Sequence, residues 1–192
     1  MRYKHRHTAR LPGYNYTQSG AYFVTICTHG RECIFDDARL MRLVELQWRS
    51  IGRYCPGVAV DEFVVMPNHV HGIVWINRRD PVGVQHTASS DDPSGMNLHH
   101  ASNLTFEPAC AAPLHTVRAG SLAAIVRAFK SSSTKRVNEL RRTPGFRVWQ
   151  RSYWDRIVRN EAELNRVRQY IRDNPLKWED DPNHPRNRKA AI

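Results

Sequence analysis

Two histidines one residue apart, His69 and His71, lie in the otherwise apolar stretch from Val64 to Ile76. In a strand, side chains at i and i+2 project from the same face, so the two imidazoles point together while Val70 packs behind them. Such a pair is a two-point clamp for a divalent cation; the other reading is two core histidines satisfied by hydrogen bonds. The stretch alone leaves both open. A second instance, His5 and His7, lies in a polar arm rather than between apolar strand segments.

Tyr170 and Asn174 form a second pair, four residues apart and ahead of Pro175. On a helix they share one face, beside Val167 and Ile171. They read either as a boundary tyrosine and a C-terminal cap, or as a nucleophilic hydroxyl beside a neutral oxygen that could complete a metal site. A third feature is charge: residues 120–159 hold ten Lys or Arg against Glu139 and Asp155 alone. Phe129, Phe146, Trp149, Tyr153 and Trp154 are interleaved with them, offering stacking surfaces for unpaired bases.

The whole chain carries 29 basic and 18 acidic side chains in 192 residues, a net +11, which favours a polyanionic partner, nucleic acid first. With 41% hydrophobic residues it can bury a core, and no apolar run approaches the roughly 18 residues of a membrane span. The basic N-terminus is not followed by an apolar stretch, so no secretory leader is expected. Cys27, Cys33, Cys55 and Cys110 lack Cys-x-x-Cys spacing and, without a leader, read as reduced cytoplasmic thiols rather than a zinc framework.

The elements that must position these groups follow from periodicity. Residues 1–19 are a basic, turn-rich arm, and Ala21 to Thr28 alternate as a strand. Asp36 or Asp37 caps a helix with Leu40, Leu43, Val44 and Trp48 on one face. Strands Val58 to Met66 and Val70 to Ile76 follow, turned at Pro67 and Asn68. Residues 78–115 have no periodicity and read as a flexible insertion; their His86, His99, His100 and His115 lack metal-ligand spacing. A long helix carries Leu122, Ile125, Val126, Phe129, Ser133, Val137 and Leu140, and a short strand is expected near Phe146 to Trp149. Asn160 caps a last helix with Glu161 and Glu163 in its first turn. The tail, 179–192, is expected to be loose. The order implies an α+β fold, a ferredoxin-like antiparallel sheet with helices packed on one face, in a single domain over residues 20–178.

Taken together, these residues resemble the single-tyrosine HUH transposases of bacterial insertion sequences, and within them the REP-associated tyrosine transposases. The resemblance rests on Tyr22 to Thr28, on Met66-Pro67-Asn68-His69-Val70-His71, on Gly120 to Val126 with Phe129 and Lys130, on Trp149 to Trp154, and on Ile157 to Asn160 leading into Tyr170-Ile171-Arg172-Asp173-Asn174-Pro175. It implies a ferredoxin-like sheet whose central strand carries His69 and His71 as metal ligands, with Asn174 as the third polar ligand and Tyr170 as nucleophile. It also implies Mg²⁺ or Mn²⁺ as cofactor and, as substrate, single-stranded DNA with hairpin or palindromic repeats, cleaved and rejoined through a 5′-phosphotyrosine. Imidazoles with an amide oxygen suit Mn²⁺ at least as well as Mg²⁺.

Candidate DNA contacts are Arg127, Lys130, Arg151, Arg156 and Arg159 for phosphates, and Tyr153 and Trp154 for bases. Whether the chain acts as a monomer or a homodimer is open. The competing function is a non-catalytic binder of structured single-stranded nucleic acid on the same fold. A zinc hydrolase is disfavoured by the lack of a His-Glu-x-x-His helix or of any plausible carboxylate beside the pair.

Overall fold

Alternating β-branched and aromatic residues put the first strand, β1 (Gly20–Cys27), at the heart of the sheet, with Tyr22, Val24 and Ile26 buried on one face and Ala21 and Phe23 on the other. The computed structural model describes residues 11, 13–77 and 118–187. The N-terminal arm up to residue 10, with His5 and His7, and the expected insertion at 78–115 lie outside the described residues.

Helix α1 (Ala38–Arg49) starts where the Asp37 side chain accepts from the Arg39 amide, and buries Leu40, Val44 and Trp48. One further turn, α2 (Ile51–Tyr54), leads to β2 (Val58–Met66) and β3 (His69–Ile76). Helix α3 (Leu122–Arg141) is capped by Ser121 and buries Leu122, Ile125, Val126, Phe129 and Val137. Then come β4 (Trp154–Val158) and α4 (Glu161–Asp173), whose Asn160 side chain caps the Glu163 amide. All pairings are antiparallel and the strand order is β2-β3-β1-β4, the ferredoxin-like arrangement expected from the element order.

The helices do not share one face. Tyr22, Val24, Ile26, Val70 and Val74 pack against α1 and α3, whereas Ala21, Phe23 and Ile73 pack against Leu164, Val167 and Ile171 of α4. The first layer comes so close that a Cβ at Gly72 would lie 2.3 Å from Trp48 Cζ2. The expectation of a single helical layer fails because both faces of the central strands are apolar enough to be covered. The expected strand near Phe146 to Trp149 is a single bridge, Thr28 to Trp149; the fourth strand lies five residues beyond it, at Trp154.

Strand β2 carries a bulge. Val60 pairs with Val74 and Phe63 with Gly72, so Asp61 and Glu62 take up one residue more than the partner strand offers. Both carboxylates are used to hold α4. Asp61 accepts from Arg168 Nε at 3.2 Å and Nη2 at 2.7 Å and from Trp75 Nε1 at 3.0 Å, and Glu62 accepts from Arg172 Nε at 3.0 Å.

The tail departs furthest from expectation. Residues Asn174–Asp180 and Pro185–Asn187 form 3₁₀ turns, and Asp181 and His184 are buried. Asn187 Nδ2 ties the segment by donating to the Asp181 carbonyl at 3.0 Å, and Trp178 packs edge-on against His184. Residues 179–187 are thus folded against the domain rather than loose.

Candidate metal and nucleophile site

His69 and His71 point from the α4 face of β3, as a two-residue repeat requires. Their rings meet edge to face with centroids 4.4 Å apart, and both are buried. Asp181 reaches them from the tail: His69 Nε2 is 3.7 Å from Asp181 Oδ2, and the donor atoms of His69, His71 and Asp181 all lie within 4.8 Å of one another. These three residues form a buried cluster that can hold a metal ion.

The surroundings fix the form of His69. Asn68 Nδ2 donates to the Arg31 carbonyl at 3.1 Å and to the Asn183 carbonyl at 2.8 Å, which turns Oδ1 toward His69 Nδ1 at 2.8 Å. A carbonyl oxygen can only accept, so His69 Nδ1 donates and Nε2 keeps its lone pair. That Nε2 and Asp181 Oδ2 are buried without hydrogen-bond partners. Two orphaned acceptors facing each other are costly unless a cation or proton joins them. His71 Nδ1 lies 2.8 Å from Thr25 Oγ1, a hydroxyl that can donate or accept, which orients the ring.

Burial pushes the His69 imidazole down to about 3, with the Arg31 charge adding to it. Burial likewise takes His71 down to about 3, with His69 adding and the Asp181 carboxylate opposing. Both rings are neutral at physiological pH, the state a metal needs.

Tyr170 reaches from α4 toward the sheet and places its hydroxyl 3.3 Å from His71 Nε2 while its side chain remains 45% exposed. The ring packs edge-on against Phe23, which also meets His71 and Trp154. Asn174 caps α4 one turn beyond Tyr170, and its Oδ1 is buried without a hydrogen-bond partner. The structure therefore brings His69, His71 and Tyr170 together, with an acid that sequence reasoning missed. Asp181 lies 110 positions from His71 in a polar tail, and only Trp178 hints that this tail is anchored.

The proposed DNA contacts divide. Opposite residues of paired strands share a face, so Trp154 and Arg156, facing Thr25 and Phe23, stand on the histidine side of the sheet. Trp154 is 38% exposed there, and Arg156 is tied to Glu163 at 2.6 Å. Arg151 and Arg159 are exposed on the flanking segments, and Tyr153 is half-buried. Arg127 and Lys130 lie on α3, across the sheet from the histidines. Lys130 Nζ spends its three donors on the carbonyls of Gln150, Arg151 and Ser152, at 2.9, 3.4 and 2.9 Å. It clamps the segment entering β4, and burial lowers its ammonium to about 8. Phe129 and Trp149 are core residues, with Trp149 Nε1 donating to Ser133 Oγ, so neither is a stacking surface.

Cys27, Cys33 and Cys55 are free thiols; Cys110 lies outside the described residues. Among the described residues no helix is long and apolar enough to cross a membrane.

No protein-family model matches the chain. It is 32% identical over 185 residues to an uncharacterized protein of Haemophilus influenzae, covering 92% of each. Among solved structures it is similar to a REP-associated tyrosine transposase bound to a REP hairpin, with a TM-score of 0.55 and 16% identity over 88% of this chain and 74% of the other.

Proposed function

This chain belongs to one family with that Haemophilus influenzae protein and has the fold of the REP-associated tyrosine transposase, and on that premise we propose that it is a transposase-like enzyme that nicks and rejoins single-stranded, hairpin-containing DNA. The observation that carries the proposal is the 3.3 Å approach of the Tyr170 hydroxyl to His71 Nε2, beside the buried His69–Asp181 pair.

Tyr170 is the nucleophile. Its oxygen attacks the scissile phosphorus, forms a 5′-phosphotyrosine and breaks the bond to the 3′ oxygen, which leaves as a 3′-hydroxyl carrying a proton. The covalent link keeps the phosphodiester energy, so a later 3′-hydroxyl can displace the tyrosine and reseal a strand. A phenol near pKa 10 is a weak nucleophile at neutral pH; the charge of an ion held by His69, His71 and Asp181, beside the hydroxyl, would favour its ionisation. His69, His71 and Asp181 would hold Mn²⁺ or Mg²⁺, with the Asn174 amide oxygen as a further donor. Bound there, the ion supplies charge to polarise the phosphate. A carboxylate in the set makes Mg²⁺ more acceptable than two imidazoles and an amide alone.

Trp154 supplies a face for an unpaired base, and the Arg151, Arg156 and Arg159 guanidiniums supply phosphate contacts. The second reading is a binder without chemistry; the convergence of Tyr170 on His71 favours the enzyme. The test is covalent trapping. Hairpin DNA labelled on either side of the break is incubated with Mn²⁺ or Mg²⁺ and run on denaturing gels beside Tyr170→Phe. An adduct carrying only the 3′-side label, and missing in the variant, is expected. Binding without an adduct, across hairpins and both metals, would turn the assignment to the non-catalytic binder.

A further inference from the structure

The segment that leads into β4 carries more residues than its partner strand takes up. Around the Thr28–Trp149 bridge, the Gln150 amide donates to the Cys27 carbonyl at 3.0 Å, so Gln150 stands opposite Cys27. Trp154 stands opposite Thr25. Arg151, Ser152 and Tyr153 therefore face Ile26 alone, a bulge of two extra residues. Without it Ser152 would stand opposite Thr25, and Trp154 opposite Phe23. A slip of two residues leaves every side chain on its own face of the sheet, so the apolar pattern of β4 does not forbid it. The register needs another hold.

Lys130 supplies one. It reaches from α3 into the bulge, where its Nζ donates to the carbonyls of Gln150, Arg151 and Ser152 at 2.9, 3.4 and 2.9 Å. Three carbonyl oxygens turned toward one point repel unless a donor joins them, and an ammonium has three donors and no acceptor. The Tyr153 ring adds a cation–π contact, its centroid 5.5 Å from Nζ. Trp154 comes next in the chain, on the histidine side of the sheet. Its ring meets Phe23 edge-on at 5.5 Å, and Phe23 in turn meets His71 at 5.5 Å and Tyr170 at 5.9 Å.

We infer that Lys130 is a positioning residue for strand cleavage, pinning the bulge that sets Trp154 beside Phe23 and Tyr170. The inference rests on the proposed function for its substrate. It gives a basic residue across the sheet from the histidines a part in the reaction that involves no contact with DNA. Loss of the ammonium leaves three carbonyls without their donor and frees the bulge to close, which carries Trp154 away from Thr25 while the sheet itself persists.

The test is a double-mutant cycle on the full chain, read as hairpin Kd by fluorescence anisotropy and as adduct rate in single-turnover trapping. Trp154→Ala is expected to weaken hairpin binding by about fivefold or more. Lys130→Met is expected to reproduce most of that loss, yet to cost less than about twofold when added to Trp154→Ala, because it acts through that ring. The adduct rate should follow the same pattern. A fall in melting temperature from Lys130→Met should appear in both backgrounds, which separates stability from positioning. Lys130→Arg, keeping a cation with several donors, should recover most of the affinity and rate. If Lys130→Met does not fold, Lys130→Gln takes its place in the cycle. Equal losses with and without Trp154, or wild-type affinity and rate in the Lys130 variant, would overturn the positioning role and leave the proposed function standing. A wild-type chain that forms no adduct would overturn the function and this role together.

Discussion

Arg168 of α4 grips Asp61 of the β2 bulge through both carboxylate oxygens, and Tyr170 stands two residues further along the same helix. The pair is mostly shielded from solvent, and the Arg168 hydrogen bond, aided by Trp75, holds the Asp61 carboxyl down to about 2. The sign is that of a stabilising acid: the contribution is full above its unfolded value near 3.8 and is lost as pH falls through about 2. The linkage bears on the candidate nucleophile, because the bulge sets where α4 sits over the histidines.

Asp61→Asn therefore lowers stability by about 1 to 3 kcal/mol, the range for a charged hydrogen-bonded pair. It also slows adduct formation while hairpin affinity stays within a few-fold. Urea melts and single-turnover trapping check the two effects. A loss of stability with an unchanged adduct rate would reduce the pair to scaffolding.

Acid should weaken the fold through the two histidines. Each has a folded value near 3 against about 6.5 unfolded. Between these values the unfolded chain binds more protons, so stability falls as pH drops below 6.5, by roughly 2 kcal/mol per histidine at pH 5. Urea midpoints from pH 7 to 5 measure this, and His69→Gln should flatten the slope.

Metal affinity distinguishes the roles around His69. Asn68→Ala removes the acceptor that sets the His69 tautomer, and is expected to cost on the order of 10 to 100-fold in Mn²⁺ affinity. Asp181→Asn is expected to cost at least as much, and Asn174→Ala less. Calorimetric titration with Mn²⁺ gives the three values without reference to DNA. Equal losses for Asp181→Asn and Asn174→Ala would restore the amide to the third-ligand role that the resemblance implies.

Lys130→Met separates clamp from DNA contact. With its donors occupied by the Gln150, Arg151 and Ser152 carbonyls, Lys130 should leave the salt dependence of DNA binding unchanged when replaced, while the melting temperature falls. A phosphate contact would instead lower the slope of log affinity against log salt by about one. Titrations at several salt concentrations decide between them.

The sheet, its histidine strand and the capped ends of α1 and α4 were legible because each rests on local signals: a two-residue alternation, Asp37 and Asn160 before apolar repeats, and Pro67 with Asn68 at a turn. The likeness of motifs to the REP-associated tyrosine transposases agrees with the observed fold. The helical layers were misplaced since apolar strands read alike whether one face is covered or two. Asp181 escaped because long-range convergence leaves no trace in spacing, and a polar tail reads as loose by composition. Lys130 looked like a phosphate ligand for the same reason: charge is visible in sequence, whereas the carbonyls that occupy it are not.

The contact between Gly72 and Trp48 ties the candidate site to the opposite side of the sheet. Gly72 directly follows His71, so any side chain at 72 must lift either α1 or the histidine strand. Residue size at 72 and at 48 is therefore a single joint variable. A gain of volume at one position is tolerable only with a loss at the other, and Gly72→Ala paired with a smaller ring than Trp48 should keep His71 in register where Gly72→Ala alone shifts it.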